Sequence, residues 1–203
     1  MSSAPEREVG SEFRAPSAPS RLRRAVFVDR DGTLNVDTHY LTGPEKVELH
    51  RGVREGVVLL RSHGFLVLVV TNQSGISRGL YTREAVEAIH ARIQELLGAV
   101  GTRVDAFYYC PHAPSEGCAC RKPGTALFEQ AARDHHLDLG GCAIIGDRIL
   151  DVEAGARLGM TTVYVPEPGA ESNYPQEREK ANEAADLLAP NFLSAVHLLL
   201  ARG

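Results

Sequence analysis

Short apolar runs alternate with amphipathic segments along this chain, and the first four runs close on or beside a polar side chain. AVFVD (25–29), FLVLVV (65–70), VDAFYY (104–109), CAIIGD (142–147) and TTVYV (161–165) are too short for helices and rich in β-branched and aromatic residues, so strands are expected. Between them, GVREGVVLLRSHG (52–64), TREAVEAIHARIQELLGAV (82–100), TALFEQAARDHH (125–136) and a stretch around 149–158 carry the helical period. Gly64 is placed to close the first of these, and Thr82 to cap the second. Near-continuous apolar strands alternating with helices suit a parallel sheet covered on both faces, because neither face then meets water. The expectation is an α/β fold with a doubly wound, Rossmann-like parallel sheet flanked by helices.

The rest of the chain is read around that unit. Residues 1–24 are rich in Pro, Ser, Arg and Glu with no apolar period, and are expected to form a disordered N-terminal tail. Residues 25–203 are expected to be a single domain. Within it, 166–182 return to loop composition and NFLSAVHLLLA (191–201) forms a closing helix. With 43% hydrophobic residues among 203 the chain can bury a core. The longest strongly apolar run, Phe65 to Val70, is far too short for a membrane span, and the N-terminus has no apolar signal core, so a cytoplasmic address is expected. Lys and Arg number 22 against 26 Asp and Glu, and the resulting net charge of −4 argues against a nucleic-acid partner.

In open parallel sheets, ligands sit outside the carboxyl ends of the strands. Those ends read Asp29-Arg30-Asp31-Gly32-Thr33-Leu34-Asn35, Thr71-Asn72-Gln73-Ser74-Gly75, Cys110-Pro111-His112 and Gly146-Asp147-Arg148. Asp29 and Asp31 can divide labour, one as nucleophile or metal ligand and the other as general acid and then base. A solvated Asp-Gly turn is the plain alternative. Thr71, Asn72 and their amides suit phosphoryl oxygens, although Thr-Asn is also an ordinary loop opening. Asp29 and Asp147, with the main-chain carbonyl of Asp31, would make an oxygen site for Mg²⁺. Asp151 is read as orienting that loop or capping the helix after it.

Cys110, His112, Cys118 and Cys120 form a C-x-H-x5-C-x-C pattern, a tetrahedral zinc set whose four protein ligands would close the site structurally. Disulfides are the alternative, but Cys118 and Cys120 are too close to pair comfortably with each other. Cys142 opens an apolar strand and is read as inert core. Arg121-Lys122-Pro123-Gly124 follows the last ligand. Pro123 is expected at the first position of the next helix, which would fix Lys122 as a phosphoryl clamp rather than one more surface lysine.

Taken in this order, the four segments resemble the haloacid dehalogenase superfamily of aspartate-nucleophile phosphatases over residues 25–166. VDRDGTLN, TNQSGISRG and the CPH…CxCRKPG loop are most similar to its zinc-containing subgroup. The resemblance implies that Asp29 is phosphorylated and that Asp31 protonates the leaving oxygen and then activates water. It further implies that Thr71 and Lys122 hold phosphoryl oxygens, that Asp147 helps hold catalytic Mg²⁺, and that Zn²⁺ is structural. The stretches from Asp29 to Thr71 and from Thr71 to Lys122 are already filled by loop, helix and strand, so a capless member with an open site is expected, and a monomer suits it. Substrate choice then falls to residues 37–49, to the loop 74–79 and to the zinc loop 110–120.

The likeness implies a phosphorylated sugar as substrate, a heptose 1,7-bisphosphate losing its 7-phosphate in the supply of nucleotide-activated heptose. Histidinol phosphate is the alternative. Arg30, Arg78, Arg121 and Arg148 beside the motifs favour a bisphosphate, because arginine pairs bidentately with phosphate. Asn35, Asn72 and Gln73 are counted with them as substrate-binding candidates. A non-catalytic zinc-stapled binding module is the remaining alternative, and the intact Asp29, Asp31, Lys122 and Asp147 argue against it.

Overall fold

A computed structural model describes residues 22–38, 40–168 and 175–202. Most of the expected tail, 1–21, lies outside the described residues. Arg23 and Arg24, assigned to that tail, instead dock on the domain. Arg23 bridges to Leu137, donating its N–H to His136 O at 3.0 Å, and the Arg24 guanidinium lies 4.6 Å over the Phe65 ring.

Six strands form one sheet in the order β3-β2-β1-β4-β5-β6, every neighbour parallel. They are β1 (Ala25–Val28), β2 (Leu66–Asn72), β3 (Ala106–Cys110), β4 (Ala143–Gly146), β5 (Thr161–Tyr164) and β6 (Leu187–Leu188). The helices are α1 (Val53–Ser62), α2 (Arg83–Gly98), α3 (Ala126–His135), α4 (Ile149–Arg157), α5 (Pro175–Ala184) and α6 (Phe192–Leu200). Strand order reverses between β1 and β4, and a crevice opens beyond the carboxyl ends at such a switch point.

Period-two alternation sends successive strand side chains to opposite faces, and both faces are apolar. Val26, Val28, Val67, Val69 and Ile145 pack under Val57 and Leu60 of α1, Ile89 and Ile93 of α2, and Phe192 and Val196 of α6. Phe27, Leu68, Val70 and Ile144 pack on Leu127 and Phe128 of α3 and Ala154 of α4. Phe27 and Phe128 meet edge to face at 5.1 Å. Emptying either position should cost about 3–5 kcal/mol, the usual range for a buried Phe cut to Ala. Thr82 caps α2 as expected, accepting from Ala85 N at 3.3 Å.

Two local expectations fail. Part of the supposed loop 166–182 is helical: α5 starts at Pro175 and runs through strong helix formers. A single buried residue, Ala181, packs it near Ile149, Val152 and Tyr164, so it has almost no apolar stripe to read. Pro123 is also not the first residue of the following helix. α3 begins at Ala126 behind Thr125, and the Lys122–Pro123 peptide is cis.

Candidate active site

The crevice is a cleft of about 450 Å³ lined by Asp29, Asp31, Thr71, Lys122, Asp147 and Asp151, among others. β1 and β4 are neighbours in the sheet, so Asp29 after β1 and Asp147 after β4 meet although they are far apart in sequence. Gly32 makes their approach feasible. Its φ is +82°, a region that side chains other than Gly avoid, and a Cβ there would press on the Asp147 carboxylate. Thr33 Oγ1 donates to Asp147 Oδ1 at 3.1 Å.

Asp29 is 8% exposed. Its Oδ1 accepts from Arg30 N at 2.7 Å and lies 2.9 Å from Lys122 Nζ. Among the described residues Oδ2 makes no hydrogen bond, so one carboxylate oxygen is tied and the other is not. Burial, opposed by Lys122 and reinforced by Asp151, pushes the Asp29 carboxyl up to about 7. Burial and then Asp29 hold Asp147 well above the usual carboxylate range.

Lys122, only 3% exposed, donates to Val70 O at 2.8 Å and stands 2.6 Å from Asp151 Oδ1. That last approach is an ion pair without hydrogen-bond geometry, since Asp151 Oδ1 counts as an unpartnered buried acceptor. Asp151 Oδ2 accepts from Arg148 N at 3.2 Å, the helix cap expected for it. Asn72 fixes Lys122 through its backbone: Asn72 Oδ1 accepts from Lys122 N at 3.0 Å and Nδ2 donates to Lys122 O at 3.3 Å. Asn72 is thus bound to the lysine's main chain.

Asp29, Asp147 and Asp151 each bring a carboxylate oxygen within 4.8 Å of the others. Three carboxylates and one ammonium leave two negative charges in a nearly dry site, which is the charge a divalent cation neutralises. This donor set fits Mg²⁺. The main-chain carbonyl of Asp31 also accepts no hydrogen bond among the described residues, as suits a ligand. The Asp31 carboxylate, by contrast, is not in that cluster.

The Asp31 side chain faces a polar network instead. Its Oδ1 accepts from Arg30 Nε (3.1 Å) and Asn35 Nδ2 (3.0 Å), and its Oδ2 from Arg30 NH2 (2.8 Å) and Gln73 Nε2 (2.8 Å). Burial alone would raise this carboxyl, but the Arg30 guanidinium and these donors outweigh burial and hold it below its ordinary value. Gln73 also donates to Thr71 Oγ1 at 2.8 Å and accepts from Tyr81 OH at 2.8 Å.

This network corrects two expectations. Arg30 is 1% exposed and Asn35 fully buried, and neither lines the cleft. They bind Asp31 from behind, outside the cleft lining. A lone charged residue beside a motif reads as exposed, because arginine so seldom enters a core. Arg78, Arg121 and Arg148 do line the cleft. Arg78 NH1 donates to Tyr40 OH at 2.9 Å and Arg121 NH1 to His112 O at 3.4 Å. Arg148 is held by Glu177 of α5 at 2.7 and 3.0 Å.

Sequence reading missed Tyr81 in the cleft wall and Thr33 behind Asp147. Tyr40 and Leu41 came only as part of the 37–49 segment, which does reach the cleft as expected, although His39 lies outside the described residues. Tyr81 had a usable signal, an aromatic two residues after the SGISRG loop.

At the rim of β3, the thiols of Cys110, Cys118 and Cys120 and Nδ1 of His112 converge, all four within 4.8 Å. The sulfurs are 3.1–3.5 Å apart and all three cysteines are free, so no disulfide competes. Three soft donors and one imidazole at these separations fit tetrahedral Zn²⁺. Cys142 is buried and accepts from Ala25 N at 3.3 Å, as core. The tight turn after the zinc loop brings Gly124 against Ala119 O, where a Cβ would clash. Arg121 and Lys122 therefore hang directly from the metal loop.

No helix among the described residues is long and apolar enough to cross a membrane. The family profile described as polynucleotide kinase 3 phosphatase matches residues 27–155, and the one described as HAD-hydrolase-like matches 119–195. The D-glycero-beta-D-manno-heptose-1,7-bisphosphate 7-phosphatase of Helicobacter pylori (strain J99) is 42% identical over 133 residues, which is 65% of this chain and 76% of that protein. The protein of the same name from Pseudomonas aeruginosa is 38% identical over 145 residues, 70% of this chain and 81% of its own length. Among solved structures, a D,D-heptose 1,7-bisphosphate phosphatase from B. bronchiseptica, complexed with magnesium and phosphate, superposes with a TM-score of 0.78. It is 28% identical and covers 90% of this chain and 100% of that one.

Proposed function

The chain belongs to the haloacid dehalogenase-like phosphatases, and from that premise we propose that it removes the 7-phosphate of D-glycero-D-manno-heptose 1,7-bisphosphate through an aspartyl-phosphate on Asp29. The observation that carries the reading is the asymmetry of Asp29 at the cleft: Oδ1 is tied by Lys122 and Arg30 N, Oδ2 has no hydrogen bond among the described residues, and the carboxylate lies within 4.8 Å of those of Asp147 and Asp151.

In this reading Asp29 Oδ2 attacks phosphorus, the bond from phosphorus to the sugar oxygen breaks, and Asp31 gives that oxygen its proton. The anionic phosphoryl group, docked beside Asp31, opposes the charge of Arg30 and favours the protonated carboxyl this step needs. Asp31, now a carboxylate, takes a proton from water, which attacks the aspartyl-phosphate and frees inorganic phosphate and Asp29. Mg²⁺, held by Asp29, Asp147 and the Asp31 carbonyl, supplies positive charge against the phosphoryl oxygens when bound. Thr71 Oγ1 accepts from Gln73, so its own proton is left for a phosphoryl oxygen. Lys122 must exchange one of its three partners to reach phosphate, and its first effect is to neutralise the carboxylates.

Arg78 and Arg121 at the cleft wall are the groups for the phosphate that stays on the sugar. Arg30 is spent on Asp31 and Arg148 on Glu177. Two arginines beside a net charge of −4 make no basic track for a nucleic-acid backbone, so a small phosphorylated sugar is the substrate. The groups this reading uses all belong to one domain, so it needs no second copy of the chain, and a monomer in the cytoplasm is the form we propose.

Steady-state rates with Mg²⁺ on the heptose bisphosphate, on histidinol phosphate and on a 3′-phosphorylated oligonucleotide test this reading. The heptose bisphosphate should lead in kcat/KM by about 100-fold or more, as expected where a second anion is paired by the site. A lead by either of the others overturns it.

A further inference from the structure

We propose that His90 is a positioning residue for the reaction, its ring nitrogen holding Arg30 so that the guanidinium aims Asp31 at the leaving oxygen. The inference rests on the phosphatase reading above, in which Asp31 moves the proton. His90 sits in α2, outside every motif, and its spacing with Val86, Ile89 and Ile93 reads as one more core position. It is 5% exposed, and its Nε2 lies 3.4 Å from Arg30 NH1.

Arginine can only donate, so Nε2 must be the acceptor and the imidazole neutral, with its proton on Nδ1. Burial, and after it the charge of Arg30, pushes this imidazole down to about 3, so it stays an acceptor throughout the working range. The ring is held from β3 as well. It stacks on Phe107 at 4.3 Å and 14° and meets the edge of Tyr109 at 5.8 Å. It cannot turn aside without unpacking that strand.

Arg30 has no slack elsewhere. Its Nε and NH2 hold the two oxygens of Asp31, NH2 also reaches Gln73 Oε1 at 2.9 Å, and NH1 goes to His90. The guanidinium is planar, so fixing NH1 fixes the tilt of the fork that carries Asp31. Remove the acceptor and a buried cationic N–H is stranded. The fork then tilts toward any other partner, and Asp31 turns with it. A displacement of about 1 Å at a reacting group is enough to cost up to ~100-fold in rate.

The test uses two substrates that differ in their need for a proton. The heptose bisphosphate leaves an alkoxide that Asp31 must protonate, whereas p-nitrophenyl phosphate leaves a stable phenolate that departs without one. His90→Leu removes the acceptor. His90→Asn keeps a polar side chain too short to reach Arg30, and carries the comparison if the leucine variant fails to fold. His90→Gln places an amide oxygen close to the position of Nε2.

For Leu and Asn, kcat/KM on the heptose bisphosphate should fall roughly 10- to 100-fold with KM nearly unchanged, within the range of lost general-acid catalysis. On p-nitrophenyl phosphate kcat/KM of the same variants should stay within about 3-fold, since it covers only the steps up to the aspartyl-phosphate and this leaving group departs without a proton; the water step that Asp31 also serves is common to both substrates and enters kcat alone. Gln should stay within about 3-fold on both, because the acceptor is restored. Equal losses of kcat/KM on the two substrates would reduce His90 to a core residue and overturn the proposal, as would a Gln variant as poor as Leu. Failure of the underlying function would show separately, as a wild-type protein that leaves the heptose bisphosphate intact.

Discussion

Lys122 places its ammonium 2.9 Å from Asp29 Oδ1, joining the loop after β3 to the end of β1 where neither group is more than 8% exposed. The same nitrogen reaches Asp151 and the carbonyl of Val70, so one side chain ties the end of β1, β2 and the first turn of α4 together beneath the cleft. Replacing Lys122 by Met leaves two buried carboxylates without their counter-charge. Stability should fall by about 3–5 kcal/mol, the usual cost of breaking a buried pair. Activity of the folded fraction should drop at least ~100-fold, as for the loss of one charge that stabilises a transition state. Denaturant melts together with rates on the folded protein check both numbers.

The carboxylate cluster predicts a pH dependence with a definite sign. In the unfolded chain Asp29 ionises near 3.8, and in the folded, metal-free site only near 7. Between those values the unfolded chain has released a proton that the folded chain keeps, so metal-free stability from this group falls as pH rises and levels off above about 7. Mg²⁺ removes the repulsion and should stabilise more at pH 8 than at pH 5. At 100 times its Kd the gain is about 2.7 kcal/mol, or roughly 5–10 °C in Tm for a chain of this length. Thermal melts at the two pH values, with and without Mg²⁺, read it directly. A larger Mg²⁺ shift at pH 5 would contradict the account.

Gly32→Ala should separate folding from metal binding. A Cβ at φ +82° is strained and presses on Asp147, so a loss of about 1 kcal/mol or more in stability is expected. Displacing one ligand carboxylate should also weaken Mg²⁺ roughly 10- to 100-fold, the range seen when a ligand loses its orientation. Activity measured against Mg²⁺ concentration should recover in part at high metal.

Zinc acts at one remove from the chemistry. Cys118→Ser should lower zinc content from one ion per chain and reduce Tm by several degrees, because a closed structural site contributes folding energy. Activity should fall as a consequence, through the loop that carries Arg121 and Lys122. Metal analysis beside the rates decides the order. Full activity in a zinc-free protein would show that the loop holds its shape alone.

The first five strands were legible because each is a short, mostly apolar run, and burial on both faces leaves that mark; β6, only Leu187–Leu188, is too short to leave it. The site was legible where function needs a fixed residue type at a strand end, as at Asp29, Thr71 and Asp147. It was not legible where residues far apart in sequence hold one another. Arg30 looked like a rim residue, yet a buried arginine is recognised only through its partners, Asp31, Gln73 and His90. His90 itself is indistinguishable from core in the α2 period. α5 escaped notice because it buries one alanine and otherwise reads as a charged loop. Its consequence is local to the site, since Glu177 holds Arg148 at the cleft wall.

The central claim is that Asp29 carries the phosphoryl group, and trapping that intermediate tests it most directly. Wild-type protein mixed with the heptose bisphosphate and Mg²⁺, quenched in acid within the first turnover and digested, should yield a phosphorylated peptide spanning Asp29. Asp29→Asn should yield none and should release no phosphate. A phosphate found on another residue, or hydrolysis that survives Asp29→Asn, would contradict the account.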